Sequence, residues 1–236
     1  MKTLIDKDNS LTWTAYNLSG DKLDDSKEDM QTLEKINSEL DTWRSPEIST
    51  YIDSTRPIGR LFSSLLKNSH GKSCHQFCAY DKGKLVASVL ISSKLYLYEK
   101  IPLKSYIQDE AFHPDLETFI SKEFAREILE NNTDENNACI NYLVVNPQMS
   151  NRGIGTRVVR SITSNLPFFV PDKNNNAITT YVSEHNEPSK KVFAKNGFKI
   201  VKPCKNFITE VKKGHRHDIY FFVPREKRHL DDLEQS

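Results

Sequence analysis

The stretch from Ala138 to Arg160, ACINYLVVNPQMSNRGIGTRVVR, constrains this chain most. Its apolar run Ala138–Val145 reads as a buried strand that stops at Asn146-Pro147. After a polar turn, Gly153-Ile154-Gly155-Thr156 opens a segment whose apolar residues Ile154, Val158, Val159 and Ile162 recur at helical spacing. A strand, a glycine-bearing turn and a helix, in that order, leave several backbone N–H groups unpaired at a helix N-terminus. The helix dipole favours negative charge there, so the turn suits a phosphate or pyrophosphate.

Two familiar phosphate loops do not fit. No Gly-Lys-Ser/Thr ends the turn, and no third glycine completes a dinucleotide fingerprint. A second pattern lies further on: Asn186, then Ser189 three residues later, Phe193 seven later, and Gly197-Phe198. Each part has a local explanation, since Asn is a good helix N-cap and Gly a common helix terminator.

Taken together, the two stretches resemble the acyl-CoA-binding signature of the GNAT N-acetyltransferase superfamily. In that family a strand ending in Val-x-Pro enters a Gln/Arg-x-x-Gly-x-Gly/Ala loop and then a helix. Val145-Asn146-Pro147 and Ser150-Asn151-Arg152-Gly153-Ile154-Gly155 occupy those places, with Ser150 off pattern. The resemblance runs from about Leu11 to Pro224. It implies an α/β (α+β) fold with a mixed, mostly antiparallel central sheet, splayed between the family's fourth and fifth strands and flanked by helices. One domain over 1–224 is expected, interrupted by an insertion at about 92–137 and followed by a charged tail over 225–236.

The order of elements agrees. Leu11–Leu18 alternates as a first strand, and Ser26 with Asp29 looks like a capping box ahead of Met30, Leu33, Ile36, Leu40 and Trp43. A second helical stretch holds Ile48, Tyr51 and Ile52, and Leu61, Phe62, Leu65 and Leu66 form a helix face after Pro57. His75–Ala79 and Leu85–Ile91 read as a hairpin around Asp81-Lys82-Gly83. Inside the insertion, Leu116, Ile120, Phe124 and Ile128 mark an amphipathic helix. Ala177–Val182, a short helix holding Pro188, Phe198–Val201 and Ile219–Val223 complete the set.

Charge excludes some functions. Lys and Arg total 33 against 32 Asp and Glu, so no basic field draws nucleic acid or an anionic membrane. No apolar run reaches the roughly 20 residues of a membrane-spanning helix, and the first residues lack a signal-peptide core. Four cysteines without framework spacing suggest reduced thiols, and a cytoplasmic protein is expected.

The resemblance implies an N-acetyltransferase that uses acetyl-CoA as co-substrate and an amine as acceptor. The backbone N–H groups of Asn151, Arg152, Gly153, Ile154, Gly155 and Thr156 would hold the pyrophosphate, with Arg152 adding charge. Leu143, Val144 and Val145 would pair with the peptide-like pantetheine arm, and an N–H near Val145 would meet the oxyanion. Asn186, Ser189 and Phe193 complete the cofactor set. Where many members carry a Tyr as general acid, this chain has Phe193. The fourth strand offers Cys139, Asn141 and Tyr142 but no carboxylate, so Glu184 is the candidate base, with His185 second.

Other clusters read more plainly. Cys74, Gln76 and Cys78 share one strand face while His75 points away, which disfavours a tetrahedral metal site. Gly214–His217 looks like a polar hairpin turn. A weak or inactive acyl-CoA sensor of the same fold is the alternative function, favoured by Phe193 and the missing carboxylate. An unrelated phosphate-binding protein is the third reading. For the insertion, with Tyr96, Tyr98, Tyr106 and Phe112, three roles are expected: core packing first, then a cover over the acceptor side or a homodimer contact.

Overall fold

The computed structural model describes residues 2–17, 27–43, 57–60, 62, 74–92, 138–169, 178–183, 186–201 and 217–222. The expectations for Ser26, Ile48–Ile52, the insertion beyond Ser92, Gly214–Arg216 and the tail fall outside these residues. The chain divides into two compact units, Met1–Ser93 with Asn141–Ile162, and Lys94–Ile140 with Thr163–Ser236.

The first unit opens with a hairpin, β1 (Lys2–Asp6) and β2 (Leu11–Asn17), in antiparallel register from Lys2↔Ala15 to Asp6↔Leu11. Leu11 therefore starts the second strand, not the first. β1 carries no inward apolar pattern: Lys2, Thr3 and Ile5 are exposed and Asp6 is its buried residue. Pairing with β2, rather than burial of its own side chains, makes it a strand. β3 (Cys74–Asp81) and β4 (Lys84–Ser92) follow, joined at Lys82-Gly83, both with positive φ as a two-residue hairpin turn requires. A register shift at Ala79/Tyr80 re-aims the end of β3.

The order continues from β4 to β5 (Ala138–Val145), whose residues from Asn141 on belong to this unit. Helix α1 (Lys27–Leu40) lays Leu33, Ile36 and Leu40 against Tyr16, Cys74, Cys78, Leu90 and Val144, with Trp43 and Phe62 closing the cluster. Helix α2 (Ile154–Ser164) buries Ile154, Val158, Val159, Ser161 and Ile162, the stripe expected from their spacing.

In the second unit the first three residues of β5 pair in parallel with β6 (Ile178–Ser183), in register Ala138↔Ile178, Cys139↔Thr179 and Ile140↔Thr180. Thr179 and Thr180 add side-chain bonds to the carbonyls of Ala138 and Ile140, at 3.2 and 3.0 Å. β8 (His217–Phe222) lies antiparallel to both β6 and β7 (Lys199–Val201), giving the order β5-β6-β8-β7. His217 is thus a strand residue rather than part of a turn. A short helix α3 (Leu166–Phe169) and helix α4 (Glu187–Lys195) complete the described elements.

Candidate functional site

At the end of β5, Leu143 and Val145 are half-buried and Val144 is buried. The strand is then stopped by its own next residues. Asn146 donates its N–H to the carbonyl of Val86 at 2.9 Å, while its side-chain oxygen accepts the N–H of Gln148 at 3.0 Å. That Asx cap, with Pro147 setting φ, turns Pro147–Met149 into one turn of 3-10 helix. Ser150, the off-pattern residue, closes it by donating its N–H to the carbonyl of Pro147 at 3.1 Å.

Two left-handed residues follow, Asn151 at φ 62° and Gly153 at φ 72°. Asn tolerates that region because its short polar side chain bonds locally, and Gly has no Cβ to object. A Cβ on Gly153 would meet nothing within 4 Å, so the requirement for glycine is conformational, not steric crowding. The ladder of α2 begins when Arg157 donates its N–H to the carbonyl of Gly153 at 3.0 Å. Before that bond, residues 150–153 form a turn. No acidic side chain occupies the first turn of α2. The residues expected to donate, Asn151 to Thr156, span this turn and the first residues of α2, and Arg152 is exposed.

Sequence reasoning missed what lies behind this turn. Arg157 donates through Nε and Nη2 to the carbonyl of Asn9 at 2.9 and 2.7 Å, and through Nη2 to that of Ser10 at 3.2 Å. Its Nη1 meets Asp81 Oδ2 at 2.9 Å. One turn on, Ser161 accepts the indole N–H of Trp13 at 2.8 Å. Burial raises the pKa of Asp6, yet hydrogen bonds from Ser161 and Asn9 outweigh it and hold the carboxyl below its ordinary 3.8. In the sequence, Arg157 carries no motif or periodic signal.

The second motif lies in the second unit. Asn186 is the N-cap of α4: its side-chain oxygen accepts the N–H of Ser189 at 3.1 Å, and its carbonyl that of Lys190 at 3.1 Å. At the other end Gly197 takes φ 83°, Gly197 N–H reaches the carbonyl of Ala194 at 3.1 Å, and Phe198 N–H that of Phe193 at 3.2 Å. This is a Schellman termination, with its expected apolar contact made by Phe193 and Phe198, ring centroids 5.0 Å apart. Phe193 is 4% exposed and belongs to the core. Glu184 and His185 lie outside the described residues.

On β3, Cys74, Gln76 and Cys78 face inward together, and Gln76 Nε2 donates to Asn37 Oδ1 at 2.9 Å and Ser88 Oγ at 3.1 Å. Burial pushes the thiols of Cys74, Cys78 and Cys139 up to about 12. Among the described residues no three His, Cys, Asp or Glu side chains form a metal-binding group, and no helix is long and apolar enough to cross a membrane.

A mixed α/β chain with a mostly antiparallel sheet flanked by helices, and a strand–glycine turn–helix at its centre, has the fold of the GNAT acetyltransferases. Residues 121–206, which carry both motifs, match the family described as FR47-like protein. Among solved structures, an uncharacterized protein from Bacillus halodurans aligns with a TM-score of 0.56 at 14% identity, over 94% of this chain and 89% of its own. RimL, a ribosomal alpha-N-protein acetyltransferase solved in complex with coenzyme A, aligns with a TM-score of 0.51 at 10% identity, over 94% of this chain and 98% of its own. No curated protein sequence matches the chain.

Proposed function

We propose that the chain is an N-acetyltransferase, moving an acetyl group from acetyl-CoA to an amine by direct attack in a ternary complex. The observation that carries this reading is the turn from Asn151 to Thr156. It holds positive φ at Asn151 and Gly153 and leads directly into α2, whose unpaired N-terminal N–H groups would receive the diphosphate. Such a group binds a diphosphate without needing a lysine, because dipole and donors act together. Leu143, Val144 and Val145 would pair with the amide-bearing pantetheine arm, and an N–H near Val145 would stabilise the oxyanion. Asn186, Ser189 and Phe193 join the set through their motif.

In the reaction the neutral amine attacks the thioester carbonyl carbon. The carbon–sulfur bond then breaks, and CoA leaves as a thiolate that takes a proton. Glu184 is the proposed base that removes the amine proton. The role of acid goes to another group or to water, since a phenyl ring has no proton to give. Direct attack is favoured over a cysteine acyl-enzyme because the three described thiols are buried and held protonated. The proposal includes a cytoplasmic setting and a small-molecule or protein amine as acceptor, with neither nucleic acid nor membrane as partner.

A second reading, an acyl-CoA sensor of the same fold, is favoured by one observation. Phe193, at the family's acid position, is packed edge-on against Phe198 as core. Calorimetric titration with CoA tests what both share. Saturable binding is expected, and Gly153→Val should weaken it by tenfold or so, since forcing a β-branched residue into the left-handed region costs about 1–2 kcal/mol. Absence of binding by the wild-type chain would remove both readings.

A further inference from the structure

The turn that opens α2 is braced by the side chain of Arg157. Arg157 is the first residue whose main-chain N–H closes the α2 ladder, on the carbonyl of Gly153. Its side chain at the same time spans two hairpin turns. The fork reaches the carbonyls of Asn9 and Ser10 in the β1–β2 turn and the carboxylate of Asp81 at the β3–β4 turn. Asn9 is itself fixed: its N–H and Nδ2 donate to the two oxygens of Asp6 at 3.2 and 2.9 Å. This presents the Asn9 carbonyl to Arg157 as a rigid acceptor. Four residues later on the same face, Ser161 joins Trp13 and Asp6. The β1–β2 hairpin, which contributes little burial through β1, is thereby tied to the helix that starts at the glycine turn.

We propose that Arg157 is a positioning residue for the diphosphate-binding turn. It holds the first turn of α2 at a fixed place relative to the β1–β2 and β3–β4 turns, and so presets the spacing of the Asn151–Thr156 donors. This rests on the acyl-CoA reading of that turn. A lysine cannot replace the arginine, because one ammonium cannot serve the carbonyls and the carboxylate with the fork's fixed geometry. Binding that depends on preset donors loses affinity when the donors must be ordered by the ligand.

The test compares ligands that carry different halves of the cofactor, using the full chain. CoA, ADP (a diphosphate without the arm) and S-acetylpantetheine (the arm without the diphosphate) are titrated into wild type, Arg157→Lys and Asp81→Asn. Arg157→Lys should lose roughly tenfold for CoA and for ADP while S-acetylpantetheine stays within about twofold, a ligand-selective pattern that general loosening would not give. Asp81→Asn, which keeps an acceptor oxygen but removes the charge paired with the fork, should shift in the same direction by about threefold, and it carries the test if the lysine variant does not fold. Equal losses for all three ligands, or a folded variant that binds CoA as tightly as wild type, would overturn the inference. A wild-type chain that binds no CoA would instead overturn the reading of the turn, and this inference with it.

Discussion

The indole N–H of Trp13 on β2 and the hydroxyl of Ser161 on α2 meet at 2.8 Å, although both side chains are fully buried and 148 residues apart in sequence. Ser161 stands on the otherwise apolar face of α2, where a hydroxyl is tolerated only because it is bonded on both sides, by Trp13 and by Asp6. Ser161→Ala should therefore cost about 1–3 kcal/mol, because it leaves a buried indole donor and a buried carboxylate short of a partner. Trp13→Phe removes the donor but leaves Ser161 its bond to Asp6. Its cost should come mainly from lost volume. Urea midpoints of the two variants measure the difference.

The Asp6 carboxyl makes the same contact sensitive to acid. Its folded pKa lies below 3.8, so its contribution to stability is complete above about that pH and is lost as pH falls through the lowered folded value. Asp6→Asn should be less stable than wild type at neutral pH, and the gap should narrow below pH 3.8. Unfolding midpoints taken from neutral pH into strong acid follow it. A gap that stays constant into acid would show that Asp6 does not carry this dependence.

Much of the fold was legible because backbone rules write themselves into local sequence. Asn186, Pro188, Gly197 and Phe198 announce the start and stop of α4, and Lys82-Gly83 announces a hairpin turn. The stripe from Ile154 to Ile162 announces the buried face of α2. The same legibility limits the functional reading of the second motif. Its Asn caps, its Gly terminates and its two Phe rings pack the termination, so capping alone explains these residues in the described structure. What could not be read was long-range. β1 has no buried stripe because pairing makes it a strand. Arg157, Asp81 and Asn9 carry no periodic signal, since their partnership joins three turns far apart in the chain.

If Asn186 acts on the cofactor through the start of α4, cap and affinity should move together. Asn186→Ala should lower stability by about 1 kcal/mol and weaken CoA binding, while Asn186→Ser, which keeps a capping oxygen, should restore both. Calorimetry with CoA beside thermal melting reads the pair. A serine variant of full stability that still binds weakly would place the amide itself on the ligand.

The thiols offer an independent check. Cys74, Cys78 and Cys139 are buried with their thiols pushed up to about 12, so at pH 8 they should react with an aromatic disulfide reagent only as fast as the chain opens. Denaturant should release all three to rapid labelling. Fast modification of any of them in the native protein would reopen a covalent route.

Acetyl transfer is measured most directly by the release of free CoA thiol from acetyl-CoA. The chain is incubated with acetyl-CoA and a panel of polyamines, aminoglycosides, amino acids and peptide N-termini. Thiol should appear with at least one amine, matched mole for mole by acetylated product and strongly reduced in Gly153→Val. Saturable CoA binding with no thiol released across the panel would contradict transfer and leave a sensor.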